Sequence, residues 1–203
     1  MRIQKQSITI AVCLTAFSIL CSASPIAVTG PIQWTSGSGG NDHFYQLFFD
    51  NATGGGIAWT AANTYATSIG QHLVTLTSAA EENFVNTTFN PSMPSGSGNA
   101  GGTCCPHFWI GLFSPTANGT YQWVTGEALG YTNWIPGEPN NPGSEPYVVD
   151  RWQAQSGWNN LPNTAFSPAS FFVTETSVPE PGSLVLFGTG AIALAWRRRA
   201  HRS

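Results

Sequence analysis

Short apolar runs alternate with Gly, Ser, Pro and Asn turns along the chain from Trp34 onward, and their periods predict the elements. Trp34 precedes a Gly/Ser loop from Ser36 to Gly40. His43 to Phe49, rich in aromatic residues, predicts a first strand. Asn51 to Gly56 reads as a turn. From Ile57 to Ile69 the apolar residues Trp59, Ala62, Ala66 and Ile69 keep helical spacing, with Gly70 as a C-terminal stop. Leu73 to Leu76 predicts a short strand. Ser78-Ala79-Ala80-Glu81 has the form of a capping box and opens a second helix, with Phe84 and Val85 facing inward and Asn90-Pro91 ending it. Trp109 to Leu112, and Phe171 to Val173 with Glu175, predict two further strands. Trp109, Trp123 and Trp134 are assigned to packing. Between them, Phe113 to Asn160 carries much Gly, Pro and Asn and little strand pattern, and so long an irregular run inside a compact domain is normally functional.

The two ends read as targeting segments and leave the fold to residues 24–177. At the N-terminus, Arg2 and Lys5 precede an apolar run from Ile8 to Cys21, and small residues follow at Ser22-Ala23-Ser24. This pattern predicts a secretory signal peptide over residues 1–23. At the C-terminus, Val178-Pro179-Glu180-Pro181 precedes an apolar stretch, Leu184 to Trp196, and then Arg197-Arg198-Arg199. The stretch is shorter than the roughly 20 residues of a comfortable membrane span, which suits a transient anchor held by its basic tail. Residues 178–203 resemble the PEP-CTERM sorting signal of Gram-negative bacteria. That resemblance implies processing by an exosortase and a place in the cell envelope or the biofilm matrix.

Charge sharpens this division. Apart from Arg151, every Lys and Arg lies in the targeting segments, while all ten acidic residues lie between Asp42 and Glu180. A domain this poor in cations will not bind nucleic acid through its phosphates. Few charges with many Trp, Phe and Gly argue against disorder, and about 150 residues are enough to bury one core.

The candidate chemistry sits late in the irregular run. Glu138-Pro139-Asn140, then Glu145, then Trp158-Asn159-Asn160 gather two carboxylates and three carboxamides. A hard cation such as Ca²⁺ takes roughly six to eight oxygen ligands, and this set holds no thiol or imidazole. The tripeptide alone also fits a plain Pro/Asn turn in a surface loop. A cis bond is plausible at Glu138-Pro139, because X-Pro bonds carry a small trans preference.

Together these motifs resemble a C-type lectin-like domain. Gly70, Leu73, Val74, Ser78 and Glu81 match its Gly-x-x-Leu-Val and Ser-x-x-Glu positions, Trp109-Ile110-Gly111-Leu112 its core strand, and Trp123 with Gly126 its Trp-x-x-Gly stretch. The resemblance runs from Phe44 to Glu175. It implies an α+β fold in which two helices flank small antiparallel sheets beside a long irregular loop region. It also implies one Ca²⁺ held by Glu138, Asn140, Glu145, Asn159 and Asn160. The sugar would be shared by Glu138, Asn140, Glu145 and Asn159, with mannose-type hydroxyl pairs as the preferred class. A carbohydrate partner such as an exopolysaccharide follows. Three departures stand out. Asn160 replaces the family's Asp and removes one negative charge, Glu145 arrives one residue early, and Tyr147 and Thr174 occupy two expected cysteine positions. Cys104 and Cys105 are adjacent and cannot staple distant strands. They fit a local disulfide, plain thiols or, with His107, an incomplete soft-metal site.

A structural or protein-binding surface module on the same scaffold is the alternative function. An enzyme is not expected. Glu138 and Glu145 form a loop pair with no further support for glycosidase chemistry, and His43, His72 and His107 make no evident triad with a Ser and an Asp.

Overall fold

The computed structural model describes residues 24–50, 56–93, 107–152, 156–163 and 171–177. Residues 1–23, read as a signal peptide, the Cys104-Cys105 pair, the sorting motif Val178-Pro179-Glu180-Pro181 and the apolar stretch Leu184 to Trp196 lie outside these residues. Among the described residues no helix is long and apolar enough to cross a membrane.

The organising pair joins the two ends of the domain. Strand β3 (Phe44–Phe49) runs antiparallel to the last strand, β9 (Phe171–Thr176), over six register pairs from Phe44↔Thr176 to Phe49↔Phe171. Three two-residue strands attach at this end: β1 (Ile26–Ala27) and β2 (Ile32–Gln33) on β3, and β4 (His72–Leu73) on β9. On its other side β9 pairs in parallel with β5 (Phe108–Phe113). The sheet continues from β5 to β7 (Tyr147–Asp150) and on to β8 (Trp158–Leu161), with β6 (Gln122–Trp123) also on β5. The antiparallel groups are thus joined into one sheet by a parallel contact.

Both faces of β5 are covered, so it is apolar without interruption, while β9 is apolar over Phe171 to Val173 and buries Thr174 and Glu175 beyond. Alternation along β5 and β9 sends Phe108, Ile110, Phe171 and Val173 to one core and Trp109 and Phe172 to the other. The first core receives helix α2 (Ala79–Phe89) through Val85 and Phe89; the second receives helix α1 (Trp59–Ser68) through Trp59, Ala62 and Ala66. Two indoles stitch α1 and the residues leading into it to β5: Trp59 Nε1 donates to the Ile110 carbonyl at 2.8 Å, and Trp109 Nε1 to that of Ile57 at 2.7 Å. Both N–H groups are thereby satisfied where burial would otherwise make them costly. Gly111 has a spatial reason: a Cβ there would stand 2.6 Å from the Leu73 carbonyl oxygen.

Four expectations change. Ile69 is not on the buried helical face; it is the C-cap residue and 40% exposed, because the chain turns away at Gly70 (φ +75°). The ladder strand predicted over Leu73 to Leu76 is His72–Leu73, and beyond it only Val74 continues, donating its N–H to Val173. The capping box is half made. Ser78 Oγ accepts from the Glu81 N–H at 3.2 Å, but the Glu81 carboxylate turns to Thr77 and to the Tyr45 hydroxyl (2.6 Å). Finally, β7 lies inside the run read as irregular.

Candidate functional site

The loop joining β6 to β7 is built on β8. Residues Asn133 to Ile135 run beside that strand: Trp158 N–H donates to the Asn133 carbonyl at 2.7 Å, Ile135 N–H to the Trp158 carbonyl at 3.1 Å, and Trp134 forms a parallel bridge to Trp158. Gly157 permits this approach, since a Cβ there would lie 2.7 Å from Ile135 Cγ2. Helix α2 holds the stem of the loop from the other side. The buried Glu82 carboxylate accepts from the Tyr131 hydroxyl at 2.6 Å and from Asn133 Nδ2 at 2.7 Å. Trp134 packs its ring on those of Tyr121 and Trp158.

Beyond the stem the chain turns at Gly137 (φ +93°), and the Glu138-Pro139 peptide is cis. Asn140 folds back onto Glu138: its N–H reaches Oε2 at 3.0 Å and its Nδ2 reaches Oε1 at 2.7 Å. The same Asn140 N–H also reaches Asn160 Oδ1 at 2.9 Å. Asn160 is fully buried, and its Nδ2 donates to the Asn140 carbonyl and, at 2.8 Å, to the Glu145 carbonyl. Tyr121 adds a hydroxyl to the Glu145 carbonyl at 3.2 Å. Four of the five sequence-predicted residues, Glu138, Asn140, Glu145 and Asn160, therefore meet in one hydrogen-bonded group.

Asn159 is placed differently. Alternation along β8 sends it to the face opposite Asn160; its Oδ1 is buried and finds no hydrogen-bond partner among the described residues. An orphaned carboxamide oxygen of this kind is an oxygen donor in want of a partner.

The electrostatics suit a cation. Burial pushes both the Glu138 and the Glu145 carboxyl above their ordinary range, and the Glu138 charge pushes Glu145 further. A cation between them would oppose both effects. Among the described residues no cluster of three or more His, Cys, Asp or Glu gathers around a metal position, so a cation here would depend on two carboxylates, carboxamides and backbone carbonyls. That donor chemistry fits a hard divalent ion and no soft one.

The sequence reading missed the supports. Asn141 Nδ2 donates to Asn140 Oδ1 at 2.5 Å, and Glu82 anchors the stem. Asn141 was open to detection as a second carboxamide directly after Asn140. Glu82 was not, because an acidic residue in the first turn of a helix ordinarily faces solvent.

Comparison with known proteins agrees with the fold. A family model described as the C-type lectin domain matches residues 56–166, more than half of the chain, and one described as the PEP-CTERM protein-sorting motif matches residues 177–199. Ladderlectin of Oncorhynchus mykiss is 31% identical over 105 residues, covering 51% of this chain and 50% of its own length. C-type mannose receptor 2 of Mus musculus is 28% identical over 122 residues, 59% of this chain. The chain spans half the length of the first of these relatives and 7% of the second. Among solved structures, the lectin CEL-I of Cucumaria echinata superposes with a TM-score of 0.54 at 24% identity, covering 69% of this chain and 94% of that one. The cow carbohydrate-recognition domain of CD23 superposes at 0.51 and 23% identity, covering 68% and 89%. Likeness at this level of identity shows the fold.

Proposed function

This chain belongs to the C-type lectin domain family and carries a PEP-CTERM sorting motif, and on that premise we propose that it is an exported, calcium-dependent carbohydrate-binding protein of a bacterial envelope or biofilm matrix. The observation that carries the reading is the hydrogen-bonded group formed by Glu138, Asn140, Glu145 and Asn160. Glu138, Asn140 and Glu145 would hold Ca²⁺ with their side-chain oxygens, with Asn160 Oδ1 as a further donor; Asn159, on the opposite face of β8, would not reach the same ion. When bound, the ion supplies open coordination positions for two neighbouring sugar hydroxyls.

The protein's own groups then set the orientation of the sugar. Glu138 and Glu145 accept only, whereas the Asn140 carboxamide both donates and accepts. The order acceptor, Pro, donor is the order of the mannose-binding class, and one relative is named a mannose receptor. No catalytic role is assigned to either carboxylate.

Calorimetry of the exported protein tests this. Calcium is expected to bind weakly, and mannose to bind only in its presence and in preference to galactose. No heat with calcium at millimolar concentration would sink the proposal. The second reading is a surface module that binds protein or serves structure without sugar. The pairing of Glu138, Asn140 and Asn160 with one another favours it, since a loop already satisfied internally needs no ligand to keep its shape.

Residues 1–23 are assigned to the signal peptide, 24–177 to the domain and 178–203 to a sorting segment processed by an exosortase after transient anchoring.

A further inference from the structure

Asn160 makes three hydrogen bonds at once. Its Oδ1 accepts the Asn140 N–H, and its Nδ2 donates to the carbonyls of Asn140 and Glu145. The residue has no exposed surface. The orientation of the carboxamide is set by chemistry. The end facing two carbonyl oxygens must be a donor, and the end facing an N–H must be an acceptor.

Glu145 and Asn140 lie on the two arms of the candidate site, and one side chain on β8 ties them together. A carboxylate at position 160 has no N–H to offer. It would set a negative oxygen against two carbonyl oxygens, a placement that only a bound cation or a captured proton makes tolerable.

We infer that Asn160 is a built-in brace that holds the Glu138–Glu145 loop in its binding shape without any cation. The inference deepens the reading above and rests on it for the statement that the braced loop is the binding loop. The brace itself rests only on the three hydrogen bonds. Asn160 offers a neutral tie where Asp would offer a charged ligand: it gives less to a cation, and it holds the loop in the cation's absence. Substituting Asp removes both donors at constant size, so it makes loop order dependent on the cation.

The test is amide hydrogen exchange of the exported chain, read at Asn140, whose N–H is shared by Asn160 Oδ1 and Glu138 Oε2, and at Glu145, whose N–H is held by the Asn141 carbonyl. In the parent, protection at both amides is expected to be the same, within about twofold, in chelator and in excess calcium. In Asn160→Asp, protection in chelator should fall by about tenfold or more, as expected for two lost hydrogen bonds, and should return with calcium. Amides of β3 and β9 report whether the variant keeps its fold.

Parent protection that collapses in chelator overturns the brace, and this arm needs no variant. Full protection of a folded Asn160→Asp in chelator overturns it too. Glu145→Gln removes a cation ligand but leaves the Glu145 carbonyl, so its loop should stay protected while calcium binding weakens; loss of protection there counts against the brace. A parent that binds no calcium yet stays protected supports the brace, and only the calorimetric reading then fails.

Discussion

Asp150 is fully buried, with its carboxylate held by Asn86 Nδ2 at 2.9 Å and by the N–H groups of Arg151 (2.6 Å) and Gly157 (3.3 Å). Burial first, and the neighbouring charge of Glu82 second, push its pKa up to about 8. The native state therefore keeps a proton that the unfolded chain gives up near the ordinary value of 3.8. Between these values the native state binds more protons, so stability falls as pH rises. His43 acts in the same sense. Its pKa is raised by its hydrogen bond to Glu175, so its contribution is complete below 6.5 and is lost as pH climbs through the raised value. Glu175 acts oppositely. Burial alone would raise it, but the bonds from His43 and Thr75 prevail and hold it low, so its contribution is lost as pH falls through the depressed value. The expected melting temperature peaks in mildly acid solution and falls by at least about 3 °C toward pH 8.5, as a loss on the order of 1 kcal/mol would produce. Asp150→Asn should flatten that fall. The orphaned Asn86 Oδ1 can accept from the new carboxamide once the Asn86 amide turns over. A melting profile with unchanged slope in this variant would assign the pH dependence elsewhere.

The elements were legible where one periodicity acted alone. Trp59, Ala62 and Ala66 mark α1, and all three are buried where the spacing put them. The family's core strand was equally plain, because Trp109-Ile110-Gly111-Leu112 is apolar on both faces and both faces are covered. Its glycine carries a testable requirement. Gly111→Ala would place a methyl group 2.6 Å from the Leu73 carbonyl and 2.9 Å from Val124 Cγ2, with a backbone atom that cannot swing aside. Overpacking of this kind costs about 1–3 kcal/mol, so a urea midpoint matching the parent would show that β4 moves freely. Strand β7 was hidden because Tyr147-Val148-Val149-Asp150 is short and follows a Pro-rich loop. Its ladders to β5 and β8, not its own composition, make it a strand. The same holds for Glu82. Helical spacing cannot reveal that Asn133 and Tyr131, about 50 residues later, come to meet it.

At the scale of the molecule, closure comes from the β3–β9 ladder, with the Thr174 hydroxyl bonded to the Gln71 side chain, and no cysteine stands among the described residues. The proposed sorting is the other whole-molecule question. Replacing Val178-Pro179-Glu180-Pro181 with Ala should leave an unprocessed chain in the membrane fraction on immunoblots, because the motif stands at the outer edge of the apolar stretch. Processing and release equal to the parent would dismiss the sorting proposal. The sequence by itself determined the family, the two helices, the core strands at Phe44–Phe49, Phe108–Phe113 and Phe171–Thr176, and the PEP-CTERM motif, since each is written in contiguous residues whose spacing carries a local preference. It also brought the five oxygen donors to notice by residue type. What Asn160 does with its carboxamide, and how Asn159 comes to face the other way, only the tertiary structure decided. Both follow from the register of β8 against β7 and from a loop laid along β8, and a hydrogen bond between residues 15 or 20 positions apart leaves no periodic trace in the chain.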